Sequence, residues 1–287
     1  TPFDGEVDGP SFNAADSVAT VPEQSGELTM SADADGTEVV IDTAHSASID
    51  REALAPIVTT LTENGATVRY HVGPRAGGQP LNDSLSEADA LVVLGGGSSY
   101  TDDELDGLRA FADAGGRVLV MDEPEKASGG TALLTLSTEG SVTSPLAPML
   151  SQFGLASDNG YLYTQGEATL NYRAVAGTPS SDGDLTEGVD RAVFYEATPV
   201  TGGDTVVAAE ETILSQTRRE GSYGVVARSG NVVAVGDTSV ATQEFLYRAD
   251  NERLVGNLLD FLVSGEKSPG DAPNGGSSDG SSSPPAP

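Results

Sequence analysis

Short apolar runs and amphipathic segments alternate along the middle of the chain, and each pattern indicates one element of secondary structure. β-branched residues dominate positions 38–43, which is typical of a buried strand. Four aliphatic residues then recur at the spacing of one helical face: Leu54, Ile57, Val58 and Leu61. Asn64-Gly65 follows them and predicts the end of that helix.

The same alternation continues toward the C-terminus. Three further strands are predicted, at 67–72, 89–95 and 117–121. Thr101 and Glu104 form a capping box at the start of a second helix. Two more helices are predicted to start at Ser144-Pro145 and near Asn251. The second half is richer in strands, which we expect at 161–164, 205–209, 224–228 and 231–235.

This order of elements predicts the architecture. Strands separated by helical segments favour right-handed crossover connections and a mainly parallel sheet. We therefore predict an α/β fold of the flavodoxin-like type, with helices on both faces of the sheet and β-rich additions in the second half. The domain is expected to span residues 36–263. Residues 1–35 form a polar N-terminal segment, and residues 264–287, rich in glycine, serine and proline, predict a disordered stalk or linker.

The charge of the chain is extreme, because 44 Asp and Glu residues stand against 14 Lys and Arg residues and give a net charge of −30. Like charges repel one another, so such a surface favours a protein that works in concentrated salt. With 37% hydrophobic residues in periodic segments, the chain does not resemble a disordered acidic protein. We interpret it as a folded protein of a salt-loving organism, most simply a haloarchaeon. No basic face neutralises phosphates, which argues against nucleic acid or anionic lipid as a partner.

The residues that the sequence lacks narrow the chemistry further. There is no cysteine, which excludes a disulfide framework, a thiolate metal site and a cysteine nucleophile. The longest apolar run, residues 90–94, is far shorter than the ~18 residues of a membrane span. The chain begins with Thr rather than Met, and we expect it to be processed or excised from a longer protein. A membrane attachment is expected only through segments outside this chain.

Residues 88–122 (ADALVVLGGGSSYTDDELDGLRAFADAGGRVLVMD) carry a family resemblance. A strand ends in glycines, a helix follows, and a strand of the form GGR-hydrophobic comes next. The run resembles class I glutamine-amidotransferase-like domains, above all their non-catalytic branch in haloarchaeal surface proteins and gliding-type ABC-transporter accessory proteins. Residues 185–189 and 231–262 fit as well, so the resemblance covers about residues 37–263. It implies an amidotransferase-like α/β fold and a role at the cell surface.

The resemblance does not extend to the catalytic residues of working amidotransferases. Those enzymes place a cysteine on the turn after the strand that here is residues 117–121, and a histidine later in the chain. Here the turn reads Asp122-Glu123-Pro124, and no histidine follows His71. Without a thiolate, the acyl intermediate of that reaction cannot form. We therefore predict no amidotransferase activity, no catalytic residues and no cofactor.

Ligands of open parallel sheets bind beyond the carboxyl ends of the strands. Six residues are predicted to line such a ligand crevice: His45, Gly96, Gly97, Ser98, Asp122 and Asp237. The glycine loop precedes a helix and offers backbone N–H groups to an oxyanion or a phosphate, although a tight strand-to-helix turn explains the glycines equally well. The carboxylates favour a cation or a hydroxyl-rich sugar.

Two other chemistries stay open at this crevice. His45 with Ser98 or Ser99 and either Asp122 or Asp237 would form a hydrolytic triad, but no G-x-S-x-G elbow supports it. His45 with Glu123 and the same two aspartates would offer ligands to a divalent ion. Chance clustering is expected among 44 carboxylates, so we predict no metal site.

Three features lie outside the crevice. His71 falls in a strand pattern and is interpreted as a packing residue. Asn82-Asp83-Ser84 is an N-glycosylation sequon in an expected polar loop, which makes Asn82 a glycosylation candidate if the chain is extracellular. A set of tyrosines in the second half either lines a sugar-binding surface or packs at a sheet edge: Tyr161, Tyr163 and Tyr172.

Two functions from different classes follow. The preferred hypothesis is a non-catalytic binding or scaffold module of a halophilic cell-surface protein, membrane-tethered on the extracellular face. Its partner is expected to be a protein or glycan at the cell surface, for which an ABC transporter or another membrane complex is one candidate. The alternative hypothesis is a hydrolase that uses a serine, histidine or carboxylate site in the same crevice.

Overall fold

The protein is built around a ten-stranded sheet. Its computed structural model describes residues 26–46, 51–124, 144–166, 170–268 and 270–271. The strands are β1 (Glu38–Asp42), β2 (Thr67–His71), β3 (Ala90–Leu94), β4 (Arg117–Met121), β5 (Ala156–Ser157), β6 (Leu162–Tyr163), β7 (Ala174–Pro179), β8 (Ala192–Tyr195), β9 (Val200–Thr201), β10 (Asp204–Leu214), β11 (Arg219–Ser229) and β12 (Val232–Val235). The helices are α1 (Ala55–Glu63), α2 (Leu81–Glu87), α3 (Asp102–Asp113), α4 (Ala147–Gln152) and α5 (Asn251–Val263). Short 3₁₀ turns occupy Pro74–Ala76, Asp184–Thr186 and Ser239–Ala241.

The large sheet is parallel at one end and antiparallel at the other. Its order is β2-β1-β3-β4-β12-β11-β10-β7-β8, and β6 also pairs with β10. The strands from β2 to β12 are mutually parallel. The strands from β11 to β8, together with β6, pair antiparallel. β5 and β9 form a separate two-stranded sheet.

The prediction of a flavodoxin-like, mainly parallel α/β fold is therefore wrong. The strands of the second half do not decorate a parallel core, because they continue the same sheet as antiparallel neighbours of β12. Hydrophobic alternation shows which face of a strand is buried but not which strand lies beside it, so the pattern did not reveal this pairing. β10 is also longer than the predicted 205–209, since a register shift between Ala209 and Thr212 interrupts its alternation.

Helices cover both faces of the parallel half, because its buried strands carry apolar side chains on both sides. Val39 and Ile41 of β1 pack in one cluster with α1 and α5, which contribute Leu61 and Leu258. Val40 of the same strand points the other way and packs with α2, α3 and α4 in a second cluster. The predicted capping box at the start of α3 is confirmed, with reciprocal bonds between Thr101 and Glu104.

The outer edge of β8, the last strand of the sheet, is covered by side chains. The Val193 N–H donates to Oδ1 of Asn251 at 2.7 Å, and the Asn251 amide donates back to the Val193 carbonyl at 2.8 Å. The Tyr195 N–H donates to Asp237 at 2.7 Å. Polar groups that an edge strand would otherwise expose are thus satisfied within the chain.

The packed region extends beyond the predicted bounds of 36–263 on both sides. Leu28 and Ala34 are buried, and Asp260 of α5 accepts hydrogen bonds from the Ser31 and Ala32 N–H groups at 2.8 and 2.7 Å. At the other end Lys267 is 5% exposed, and its ammonium group donates to the Ser86 carbonyl at 3.1 Å. The remaining residues of the predicted stalk, 269 and 272–287, and of the polar segment, 1–25, lie outside the described residues.

Truncation should locate the C-terminal end of the packed region. A chain ending after Gly265 loses the buried Lys267, whose Nζ lies 5.6 Å from the centre of the Phe111 ring and donates to the Ser86 carbonyl. We expect its melting temperature to fall by about 2–6 °C, as for a loss of one or two hydrogen bonds and some packing. A chain ending after Asp271 serves as the control and should melt within about a degree of the full chain. Equal melting temperatures for all three chains would show that the Lys267 contact contributes no stability.

The glycosylation candidate Asn82 does not lie in a loop, contrary to expectation. It belongs to the first turn of α2 and is 4% exposed, with its amide donating to the Asp103 carbonyl at 3.1 Å. Gly107 of α3 approaches it so closely that an added Cβ would lie 1.9 Å from Oδ1. In this arrangement the Asn82 side chain is packed against α3 and leaves no space for a glycosyl group. None of the helices in the described ranges combines the length and apolar character that a bilayer span requires.

Candidate functional site

All six predicted crevice residues lie along the carboxyl edge of the parallel strands. His45 follows β1, the glycine loop follows β3, Asp122 follows β4, and Asp237 follows β12. The sheet order places two strands between β1 and β12, so the turns that carry His45 and Asp237 are separated by roughly 14 Å, three strand spacings. The edge therefore consists of two polar clusters, one on each side of the glycine loop.

The first cluster, here the Asp42 cluster, contains Asp42, His45, Tyr100 and Glu104. Asp42 is the last residue of β1 and is fully buried. One of its oxygens pairs with Nδ1 of His45 at 2.8 Å and accepts the Tyr100 hydroxyl at 2.7 Å. Nε2 of His45 lies 3.5 Å from a carboxylate oxygen of Glu104, and the imidazole stacks on the Tyr100 ring at 4.1 Å between centroids. Both nitrogens of His45 are thus directed at carboxylates.

The electrostatics of this cluster favour an ion pair. Burial alone would raise the pKa of Asp42, but the hydrogen bond and charge of His45, with the Tyr100 hydroxyl, lower that pKa below its ordinary 3.8. Burial alone would lower the pKa of His45, but Asp42 and Glu104 outweigh it and raise that pKa above its ordinary 6.5. His45 thus lies between two carboxylates, an arrangement that stabilises its protonated form.

His71 lies beside this cluster and not in a purely apolar environment. Its Nδ1 lies 2.9 Å from the Ser84 hydroxyl, and its backbone carbonyl accepts the Thr43 N–H at 2.9 Å. Burial and the charge of His45 lower the pKa of His71, against the attraction of Asp42. The neutral ring is therefore a packing residue that also joins β2 to the turn after β1.

The glycine loop has already used the donors that were expected to bind an anion. The Gly97 and Ser98 N–H groups both donate to the His45 carbonyl, at 2.8 and 3.1 Å. Gly95 adopts a φ of +58°, and a Cβ at Gly96 would lie 3.0 Å from Pro145, so both glycines serve a tight turn against the start of α4. The loop thus connects the β1 and β3 turns and does not present an open oxyanion site.

The second cluster centres on Asp122, which follows β4 and is 2% exposed. It accepts the Ser157 hydroxyl at 2.6 Å, the Ser144 hydroxyl at 3.1 Å and the Glu123 N–H at 2.9 Å. Burial raises the pKa of Asp122 although these hydrogen bonds oppose the rise. Through these bonds Asp122 holds the segment before α4 and the β5 strand against β4.

Asp237, the last predicted crevice residue, is 1% exposed and faces the protein interior. Its two oxygens accept the N–H groups of Tyr195 and Ser239, each at 2.7 Å. Burial raises the pKa of Asp237 to about 7 despite these bonds. The neighbouring Thr238 hydroxyl donates to Glu123, which joins the β12 turn to the β4 turn. Asp237 therefore fixes the edge of β8 and is not available to a ligand.

The described residues contain no group of three or more histidines, aspartates and glutamates placed to hold one ion. Ser98 is exposed, and the His45 Nε2 that a serine nucleophile would need faces Glu104 at 3.5 Å.

Sequence reasoning missed Asp42, Tyr100 and Glu104. Asp42 was counted as part of an apolar strand, and Glu104 only as the capping residue of α3. One signal was present, because an aspartate that ends a buried strand three residues before the histidine can reach that imidazole in the following turn. Tyr100 had no local signal, since its contact with Asp42 spans 58 residues of chain.

Comparison with known proteins supplies a family and a fold. The family described as DUF4350, a domain of unknown function, matches residues 46–259. Among solved structures, the mmIFT52 N-terminal domain superposes with a TM-score of 0.58 at 11% sequence identity, covering 79% of this chain and 98% of that domain. At that identity the likeness concerns the fold alone. No curated protein matches the sequence.

Proposed function

The chain belongs to the DUF4350 family, and we propose that it acts as a non-catalytic binding or scaffold module of a salt-adapted cell-surface protein. One observation carries the proposal: both ring nitrogens of His45, the histidine best placed for catalysis, are directed at carboxylates. A general base needs one nitrogen free to reach a nucleophile or water. This histidine stabilises a turn instead.

The carboxylates at the same edge support the same interpretation. Asp42, Asp122 and Asp237 are each at most 2% exposed, and each accepts hydrogen bonds from its own fold. Catalytic carboxylates must reach a substrate, whereas these three join neighbouring turns to one another. The sequence also contains no cysteine, so the thiolate chemistry of amidotransferases is unavailable.

The proposed location follows from charge and composition. A net charge of −30 suits a protein in concentrated salt, and residues 264–287 have the composition of a flexible linker that would hold a binding domain away from a surface. We propose an extracellular, membrane-tethered module whose partner is a protein or glycan of the cell surface. The direction of His45 Nε2 toward Glu104 disfavours the hydrolase alternative.

Turnover assays test the non-catalytic role. Ammonia release from glutamine and hydrolysis of a p-nitrophenyl ester should stay at the buffer rate in salt that keeps the protein folded. Two variants identify the source of any turnover: Ser98→Ala removes the exposed hydroxyl of the hydrolase hypothesis, and His45→Gln removes its imidazole. The proposal fails if either substrate turns over above the blank and the Ser98→Ala or His45→Gln variant removes that activity.

A further inference from the structure

A notch opens in the antiparallel half of the large sheet, away from the Asp42 cluster. Within the described residues, β7 pairs with β10 at Pro179 and Thr178, and β6 pairs with β10 at Tyr163 and Leu162. Between these two points the chain segments diverge and enclose a cavity of about 510 Å³. This volume lies in the range of small-ligand sites and holds one long side chain easily.

Three glutamates line the notch: Glu210, Glu211 and Glu220. Consecutive residues of a regular strand face opposite sides, but the register shift in β10, where Glu211 has a φ of +51°, leaves Glu210 and Glu211 both exposed. Within the described ranges none of the three takes part in an ion pair, and the lining contains no basic residue. The notch therefore concentrates negative charge that the chain itself leaves unneutralised.

Two tyrosines, the half-buried Tyr163 and the exposed Tyr172, lie beside these carboxylates. Tyr163 lies opposite Ile213, and Ile213 lies opposite Glu220, so the three side chains share one face of the sheet. Tyr172 is 51% exposed, and its ring meets the Tyr163 ring edge-on at 6.4 Å between centroids. The Tyr172 carbonyl accepts the N–H of Thr164, a residue of the notch lining, at 2.8 Å. The aromatic pair and the notch thus form one continuous surface.

Arg173 shows which chemistry this surface accepts. Its guanidinium lies 5.0 Å from the Tyr161 ring centre and 5.3 Å from that of Tyr172, and it pairs with Glu196. A cation here contacts aromatic faces and a carboxylate at once. Beside this aromatic surface, the described lining of the notch adds three further carboxylates and contains no basic side chain.

We propose that the notch receives an arginine or lysine side chain of a partner polypeptide. The charged group lies among Glu210, Glu211 and Glu220, and the aliphatic stem lies on Tyr163 and Tyr172. A neutral sugar would use the tyrosines but leave the carboxylates unneutralised, and a small metal ion would not use the tyrosines. This inference rests on the proposed binding role and deepens it by naming the surface and the partner's chemistry.

The test is an NMR titration of the ¹⁵N-labelled full chain in molar KCl, which screens diffuse attraction to the acidic surface. The probe is the capped pentapeptide Gly-Gly-Arg-Gly-Gly, and the same peptide with citrulline, which lacks the charge, is its comparison. We expect amide shifts confined to residues 164–166, 174–176 and 210–213, with the citrulline peptide binding at least about fivefold more weakly.

Two triple variants decide whether the notch carboxylates are responsible. Glu210→Gln, Glu211→Gln and Glu220→Gln together should weaken arginine-peptide binding about fivefold. Glu63→Gln, Asp106→Asn and Asp113→Asn remove the same charge from exposed helical positions and should leave binding unchanged. Shifts spread over the whole acidic surface, equal losses in both triple variants, or stronger binding of maltotriose at the notch would each overturn the proposal. Such a failure leaves the turnover assays unaffected, so the binding site and the non-catalytic role are tested separately.

Discussion

Replacing Asp42 by alanine is expected to destabilise the protein by about 3–5 kcal/mol, because it leaves the His45 imidazolium without its buried partner. Asp42 is fully buried and contacts both His45 and Tyr100, at 2.8 and 2.7 Å. Chemical unfolding in molar salt measures the loss, and His45→Ala with the double variant completes a cycle that isolates the coupling. Asp106→Ala, at an exposed position of α3, is the control and should cost less than about 0.5 kcal/mol.

The pH dependence of this loss gives the experiment a second measurement. The pKa of Asp42 is lowered from 3.8, so its contribution is present above that pH and disappears as the pH falls through the folded-state value. The pKa of His45 is raised from 6.5, so its contribution is complete below that pH and disappears as the pH rises through the folded-state value. The difference in free energy of unfolding between wild type and Asp42→Ala should therefore be greatest between pH 3.8 and pH 6.5. A difference below about 1 kcal/mol throughout that window would contradict the ion pair.

The melting temperature should rise steeply with salt, by on the order of 10 °C or more between about 0.1 M and about 3 M KCl. The net charge of −30 repels itself in the compact state, and unfolding relieves that repulsion by moving the charges apart. Screening removes the advantage of unfolding. NaCl should reproduce the rise, because the effect depends on ionic strength and not on a bound potassium ion. A flat profile in both salts would rule out salt adaptation as the reason for the acidic surface.

The sequence predicts the parallel half of the fold well, because each of its elements carries its own local signal. The capping box at Thr101 and the apolar runs of β3 and β4 mark elements that the structure contains. The antiparallel half depends on which strands meet, and side-chain alternation does not encode the neighbour. The bulge at Glu210 and Glu211 also breaks the period of two by which β10 would have been recognised at full length.

The candidate site, like the fold, is predictable from the sequence only in part. Parallel strands oblige His45, Asp122 and Asp237 to share one edge, and the structure places them there. Whether a carboxylate faces a ligand or the interior depends on partners distant in the chain, such as Tyr195 for Asp237 and Ser157 for Asp122. Their residue types alone suggested that these carboxylates bind a ligand. Their burial and hydrogen bonds show that they connect neighbouring turns instead.

The covered edge of β8 has a consequence for colloidal behaviour. Concentrated salt removes the electrostatic barrier that keeps highly charged molecules from meeting, so a bare strand border would then template fibre growth. Asn251 occupies both backbone groups of Val193, and Asp237 occupies the N–H of Tyr195. At this border a second molecule finds both backbone groups of Val193 and the N–H of Tyr195 already paired, whatever the ionic strength. Hydrogen bonds from within the chain provide this protection against polymerisation. It therefore persists at salt concentrations that screen charge repulsion.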